Sequence, residues 1–438
     1  MLNINKNIST KRIQNGIYLF IAVICFIAMT LFICLIDYFF KLDISRYTTP
    51  YLISIICSIS LVQILIWCVR NKVHKGIKYA FMHYNMVLNL RRAFLDSHYF
   101  NTRYYFNKKI ALLPKIKIDF SNDFFTGKLY IENIHMNKDI RTSDLSVALN
   151  KYVVERSYLS HDENYYVFNI FNSKINRQLI FRSLDELREY VIKVEERYLV
   201  IDKFTKIPIH SSLFVGQTGS GKTYALYSLI LQMQLKKDKY SLYFVDPKNS
   251  SLSVLGERIS AQNTASNFDD IVDLLKKFID LMTLSKIELK EKLNSKLEAT
   301  YIDFGYPSHI FIFDEFASFQ SQLQSKEKKK RDEVMSLISQ VVLEGRQIGF
   351  FIWFVMQKSD SNLIPTYIRE NLPVKFVIGN AEKQTYITAF GPGIDIKEKD
   401  FQLGEGLFIC PLIANQPKLC HFSYLDFDIL KAIEYFNE

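Results

Sequence analysis

Ser212 to Val215 is a short apolar run that opens into Gly216-Gln217-Thr218-Gly219-Ser220-Gly221-Lys222-Thr223, and Tyr224 to Gln234 follows with a helix-like pattern. A strand, a turn of the form G-x-x-x-x-G-K-T and a helix, in that order, make a phosphate-binding loop. The residue types answer to the chemistry. Gly216, Gly219 and Gly221 open backbone dihedrals closed to other residues, so successive N–H groups from Gln217 and Thr218 through Ser220 can turn inward around phosphate oxygens. The helix that begins there adds the positive end of its dipole. Lys222 supplies a cation for the β- and γ-phosphates, and the Thr223 hydroxyl is a ligand for Mg²⁺. ATP and Mg²⁺ are therefore the expected cofactors.

From Leu199 onward, apolar strands alternate with helices. Leu242–Val245 ends in Asp246-Pro247-Lys248, and Asn267–Leu297 is a long amphipathic helical stretch. His309–Phe313 leads into Asp314-Glu315, Asp332–Leu343 reads as a helix, and Phe350–Met356 ends at Gln357. Lys375–Ile378 and Leu407–Cys410 follow as later strands. Continuous apolar strands separated by helices predict a buried, mostly parallel sheet with ligands at the strand C-termini. An Asp-Glu pair ending a strand is common in turns, but downstream of a phosphate loop it has a second meaning. Asp314 can hold Mg²⁺, and Glu315 can polarise a water for in-line attack on the γ-phosphate. Gln357, ending a neighbouring strand, is placed to sense that phosphate.

Two uncharged apolar runs, residues 17–36 and 51–69, are each long enough to cross a bilayer as a helix. Lys6, Lys11 and Arg12 precede the first, Arg70, Lys72, Lys75 and Lys78 follow the second, and the loop between holds only Lys41 and Arg46. The asymmetry predicts two spans in the cell membrane with both termini cytoplasmic. The cysteines, four in the spans and two near the C-terminus, form no C-x-x-C pair and read as apolar fillers in a reducing compartment. The net charge of +10 suits nucleic acid or an anionic lipid surface and does not separate them.

Between the spans and the α/β region, residues 71–100 read as a basic helical stalk. Residues 115–120 alternate strictly and 127–132 answer them as a hairpin. Ser143–Val153 then looks helical, Tyr165–Ile170 and Gln178–Phe181 look like a second hairpin, and Ser183-Leu184-Asp185-Glu186 opens a helix through Val194 as a capping box. The expected organisation is a transmembrane anchor over 1–70, the stalk, a small α+β domain over 101–200 and the P-loop domain over 201–438.

Several stretches occur in a fixed order that resembles FtsK/SpoIIIE-type DNA motors. Ile209-His210-Ser211-Ser212-Leu213-Phe214-Val215-Gly216 resembles their entry to the phosphate loop, and Thr218-Gly219-Ser220-Gly221-Lys222 their TGSGK. Val245-Asp246-Pro247-Lys248 resembles their strand ending in DPK, and Phe313-Asp314-Glu315-Phe316 their acidic block. Glu344-Gly345-Arg346-Gln347-Ile348-Gly349 and Val355-Met356-Gln357-Lys358 resemble a helix ending GR-x-x-G and a strand ending T-Q-R, here with lysine in place of the arginine. With the two spans and one small domain, the pattern looks most like the FtsK-like coupling proteins of conjugative plasmids and integrative elements. The residues after Gln357 are expected to complete the sheet, without room for a winged helix.

The resemblance implies a RecA-like P-loop motor and a homohexameric ring with nucleotide sites between subunits and DNA in the pore, single- or double-stranded. It also implies a relaxase–DNA complex and conjugation channel proteins as partners, beside the lipid bilayer. A site shared between subunits calls for an arginine in trans. Arg346 is the first candidate by position and Arg369 the second, and a surface salt bridge is the plain alternative for either. Lys326-Glu327-Lys328-Lys329-Lys330-Arg331 reads as a basic loop that either faces phosphates in the pore or is simply solvated. Two other functions stay open: an FtsK-like ATPase driving protein secretion, and a membrane scaffold that binds nucleotide without turnover.

Overall fold

The computed structural model describes residues 8–10, 28, 31–36, 38–40, 44–105, 108–133, 140, 145, 148–294, 296–359, 363–394 and 399–437. The chain divides into two compact units, Met1–Asn176 and Arg177–Glu438.

In the first unit, helix α1 (Ile44–Arg70) runs through Pro50, whose missing N–H costs a single backbone bond near the helix start. Its Ile53–Arg70 stretch is the one described helix long and apolar enough to cross a bilayer, and none of it is buried. The expected first span, 17–36, falls largely outside the described residues. The expected stalk differs in two ways. Gly76, at φ 109, breaks it after a single 3₁₀ turn, and α2 (Ile77–Asp96) does not stand free. Tyr79, Met86, Leu90 and Phe94 recur on one face of α2 and pack on Ile118, Leu129, Phe168 and Ile170 of a four-stranded antiparallel sheet. A three-stranded sheet carries β1 (Ile8–Thr10), β3 (Lys108–Leu112) and β2 (Asn101–Tyr105), with β1 parallel to β3.

The four-stranded sheet has the order β4 (Ile116–Phe120), β5 (Thr126–Glu132), β7 (Tyr165–Asn172), β6 (Tyr152–Leu159). The β4–β5 hairpin pairs Ile116 with Ile131 and Phe120 with Gly127, as its alternation suggests. The expected second hairpin does not form. β7 pairs with β5 and β6, while β8 (Ile180–Phe181) lies in the second unit, paired in parallel with β19 (Tyr424–Leu425). Strand β6 begins inside the stretch read as a helix. It is an edge strand with mostly exposed or half-exposed side chains, so its sequence carries little period-two signal.

The second unit opens with α3 (Leu184–Val191), whose N-cap Ser183 accepts from Glu186 N–H through its Oγ; the expected reciprocal bond is shifted by one residue, the Glu186 carboxylate accepting from Arg182 N–H instead of Ser183 N–H. After β9 (Tyr198–Asp202) and β10 (Thr205–Pro208) comes an eight-stranded sheet. Its members are β11 (Ser212–Gly216), β12 (Tyr240–Val245), β13 (Thr264–Ala265), β14 (Ser308–Phe313), β15 (Phe350–Met356), β16 (Val374–Ile378), β17 (Glu405–Cys410) and β18 (Ala414–His421). Their spatial order is β13-β12-β14-β15-β11-β16-β17-β18, parallel up to β16 and antiparallel for the last two. Strands β11 and β15 are buried along their whole length. One face packs against α6 (Phe268–Leu293), α7 (Phe316–Gln324) and α8 (Lys328–Ile348) through Phe278, Met282, Phe319, Ile338 and Val341. The other packs against α4 (Lys222–Gln234) and α5 (Ser251–Ser260) through Leu226, Leu229, Ile230 and Leu255. Coverage on both faces explains why the strands read as unbroken apolar runs. Gln232, on the buried side of α4, takes the place of a strand neighbour: it accepts from Val200 N–H at 2.8 Å and donates to Val200 O at 2.9 Å.

His309 at the start of β14 stacks on Phe350 with ring centroids 4.3 Å apart, and burial pushes its pKa from 6.5 down to about 4. The unfolded chain therefore binds a proton here more readily than the folded one, and stability falls as pH drops from about 6.5 towards 4. Replacing His309 by Phe keeps the ring stack and removes this titration. The decline in melting temperature over that window should be shallower in His309→Phe than in the wild type.

Candidate nucleotide site

Strand β11 lies at the centre of the sheet, between β15 and β16. From its C-terminal end the chain turns through Gln217 to Gly221, with Ser220 N–H donating to Gln217 O, and enters α4 at Lys222. Gly221 has φ +91, and a Cβ there would stand 2.7 Å from Gly404 N, so this position admits only glycine. The reason is a neighbour not evident in the sequence: Gly404 donates its N–H to Ser220 O at 2.9 Å and braces the phosphate loop from the far end of the chain. Leu403 beside it lines the same cavity.

That cavity, about 360 Å³, gathers Gln217, Thr218, Gly219, Gly221, Lys222 and Thr223 with Lys248, Asp314, Glu315 and Gln357. The strand order shows how. Asp314 and Glu315 follow β14, which is not next to β11; β15 lies between them, so Gln357 at its end stands between the phosphate loop and the acidic pair. Gly216 ends β11 at the base of the loop, and a Cβ there would meet Ser220 Oγ at 2.6 Å. The Ser220 hydroxyl is buried with no partner among the described residues.

Glu315 has φ 43, an uncommon conformation for a non-glycine residue, and its N–H donates to Asp314 Oδ1 at 3.0 Å. Its carboxylate pairs with Lys248 Nζ at 3.2 Å. Lys248 is delivered by the turn after β12, and Asp246 builds that turn. This fully buried carboxylate accepts from Lys248 N–H at 3.1 Å, Ser250 N–H and Oγ–H both at 2.8 Å, and Ser253 N–H at 3.3 Å. Burial pushes the Lys222 ammonium below its ordinary pKa, with Asp314 and Glu315 pulling it back. Burial likewise raises the Asp314 carboxyl, opposed by Lys222 and reinforced by Asp246. Each group is held in a poorly solvated place where an opposite charge counts for more than in water. The Thr223 hydroxyl and Asp314 carboxylate are hard oxygen donors on the rim of one cavity, a donor set that suits Mg²⁺ together with phosphate oxygens.

Other expected residues lie elsewhere. Arg346 is near the end of α8, just before β15, at the opposite end of the sheet from the phosphate loop. It lines a second cleft of about 710 Å³ with His210, Tyr301 and Lys286, where burial, helped by the Arg346 charge, lowers the His210 pKa to about 4. Arg369, in the short helix α9 (Thr366–Glu370), is half-buried and donates to Thr366 Oγ1 at 3.3 Å. Neither arginine joins the cavity of its own chain. The Gly345-Arg346 pair also has a packing cause: a Cβ on Gly345 would lie 2.1 Å from Phe350 O. Lys358, which replaces the arginine of the resembled motif, pairs with Glu382 at 2.9 Å on the surface. The basic run is only briefly a loop, because Lys328 already starts α8. Lys330 pairs with Glu333 at 3.6 Å, Arg331 donates to Gln324 O, and Lys328 and Lys329 stay exposed.

A phosphate loop, an acidic strand end and a polar residue on the strand between them, at the C-terminal edge of a mostly parallel sheet, define a P-loop α/β protein. No protein-family model matches the chain. It is 30% identical over 190 residues to the FtsK domain-containing protein YdcQ of Bacillus subtilis (strain 168), which covers 43% of this chain and 38% of YdcQ. The match thus spans well under half of that relative's length. Two solved structures share 16% identity with the chain. The conjugation coupling protein TcpA of pCW3, a monomer with ATPγS, covers 80% of this chain and 99% of its own at TM-score 0.49. ATPases 2 and 3 of EssC from Geobacillus thermodenitrificans cover 60% and 51% at TM-score 0.47. The FtsK-like character read from the motifs is shared with YdcQ over the matched stretch.

In sequence Asp246 is only one letter of a DPK motif, and its buried fourfold acceptor role comes from the fold. Asp246→Ala leaves those donors unpaired and should lower the stability of the second unit by about 2–4 kcal/mol, measured by denaturant unfolding.

Proposed function

We propose that this chain is a membrane-anchored, ATP-driven DNA translocase of the coupling type, which delivers DNA to a conjugative transfer channel. The observation that carries the ATPase part is the convergence of Lys222, Thr223, Asp314, Glu315 and Gln357 on one cavity. FtsK-like sequence shared with YdcQ supports DNA as the cargo, and the net charge of +10 agrees with a polyanionic partner.

In this mechanism the N–H groups from Gln217 to Gly221 and the Lys222 ammonium hold the β- and γ-phosphates. The Thr223 hydroxyl and Asp314 carboxylate would hold Mg²⁺, which when bound supplies positive charge against the phosphate oxygens. Glu315 orients a water and takes its proton as the water oxygen bonds to the γ-phosphorus. The bond from that phosphorus to the β–γ bridging oxygen breaks, releasing ADP and inorganic phosphate, and the proton passes from Glu315 to solvent. Gln357, between the loop and the acidic pair, positions the water or reports on the phosphate.

Arg346 lies too far round the sheet to serve its own site, which supports a role in trans at a neighbouring subunit's nucleotide in a homohexameric ring. Two membrane crossings with cytoplasmic termini are supported by the Lys/Arg asymmetry and by the pairing of Ile8–Thr10 with Lys108–Leu112. A chain that leaves and rejoins one sheet crosses the bilayer an even number of times. The domain limits proposed from the sequence, with an anchor to residue 70 and a motor from about residue 200, fit this use, and a relaxase–DNA complex and channel proteins are the proposed partners.

The test uses the full chain in lipid nanodiscs. ATP hydrolysis should rise when single- or double-stranded DNA is added at low salt, and Glu315→Gln should lower kcat by about 10²-fold or more while nucleotide binding persists. Hydrolysis that ignores DNA and rises with a secreted protein would overturn the cargo assignment. Nucleotide binding without turnover in the wild type would overturn the motor itself.

A further inference from the structure

Lys248 has no part in the mechanism above, yet its ammonium is the ion-pair partner of the Glu315 carboxylate among the described residues, at 3.2 Å. The two ends of the pair are held differently. The Glu315 side chain is 11% exposed, whereas the Lys248 side chain is 47% exposed on a turn that Asp246 holds in place. The lysine is therefore the member free to swing. It borders the same cavity as Lys222, Gly219 and Gln357, where the γ-phosphate would lie.

With Lys248 Nζ 3.2 Å from Glu315 Oε2, the ammonium occupies that carboxylate oxygen and competes with an attacking water for it. A γ-phosphate carries more charge and more acceptor oxygens than one carboxylate, so it competes for the same ammonium with advantage. ADP brings no such group. We propose that Lys248 is a γ-phosphate-dependent positioning residue. It holds Glu315 when the site is empty or contains ADP, and it transfers to the γ-phosphate of ATP, which frees Glu315 to accept the proton of the attacking water. The inference rests on the nucleotide assignment above and adds to it a reason for Glu315 to be inactive until ATP is present.

The test is a binding cycle on the full chain in detergent, with ATPγS and ADP titrated into the wild type, Lys248→Ala, Glu315→Gln and the double variant. Lys248→Ala should weaken ATPγS about tenfold or more and leave ADP within about twofold, because only the γ-phosphate contact is lost. Glu315→Gln should tighten ATPγS about threefold or more where Lys248 is present, since the lysine then leaves no charged partner behind, and should do nothing in the Lys248→Ala background. Lys248→Arg should keep the preference for ATPγS. Equal weakening of ATPγS and ADP by Lys248→Ala would overturn the proposal. So would equal tightening by Glu315→Gln in both backgrounds, which marks direct repulsion between Glu315 and phosphate. If the wild type binds neither nucleotide, the nucleotide assignment itself falls; unchanged ADP binding in the variants shows that they are folded.

Discussion

Burial of the parallel strands on both faces is the constraint on which the second unit depends. Phe214, Phe311, Phe313 and Phe354 are fully buried between the helix layers, and from Leu213 to Val215, Ile310 to Phe313 and Phe350 to Met356 the strands carry only apolar side chains. Polar chemistry is pushed to the strand ends, where the chain leaves the sheet and side chains regain access to water. Gly216, Asp246, Asp314 and Gln357 each stand at or just beyond such an end. Parallel pairing brings these ends to one edge, so four segments far apart in the chain meet at one cavity.

At that edge, electrostatics takes over from packing. Two ammonium groups and two carboxylates, from Lys222, Lys248, Asp314 and Glu315, border one cavity and are individually disfavoured by burial or held by pairing. Such an arrangement is tolerable because opposite charges face each other, and it is responsive because an added polyanion changes the pairing. Asp246 has a different task. Buried and saturated with hydrogen bonds, it is a structural carboxylate that fixes the turn from which Lys248 reaches out.

Much of this is legible in the order of residues alone. The phosphate loop and the Asp314-Glu315 pair follow from residue type and spacing, because phosphate and Mg²⁺ demand particular donors at short sequence separation. The strands β11, β12, β14 and β15 are legible as apolar runs, and the Ser183 N-cap as a helix start. Signals that depend on one exposed face are not. Edge strand β6 alternates poorly and its start reads as part of a helix, and the apolar runs of β7 and β8 suggest a hairpin although the two strands lie in different units. The helix after Ile53–Arg70 reads as a free stalk because the apolar stripe of Tyr79, Met86, Leu90 and Phe94 does not name what it packs on, which only the partner sheet makes visible.

By itself the sequence determined the chemistry available: a loop that can wrap phosphate, an acidic strand end, and a mostly parallel sheet whose strands had to be covered on both sides. These are local properties, set by backbone freedom, side-chain charge and the period of hydrophobicity. Only the tertiary structure decided which strands are neighbours, and so that Gln357 stands between the loop and the acidic pair, that Gly404 braces Ser220, and that Lys248 holds Glu315. It also decided that Arg346 lies at the far end of the sheet from its own phosphate loop. Strand order and long-range pairing come from how whole layers pack, and no short stretch of residues carries that information.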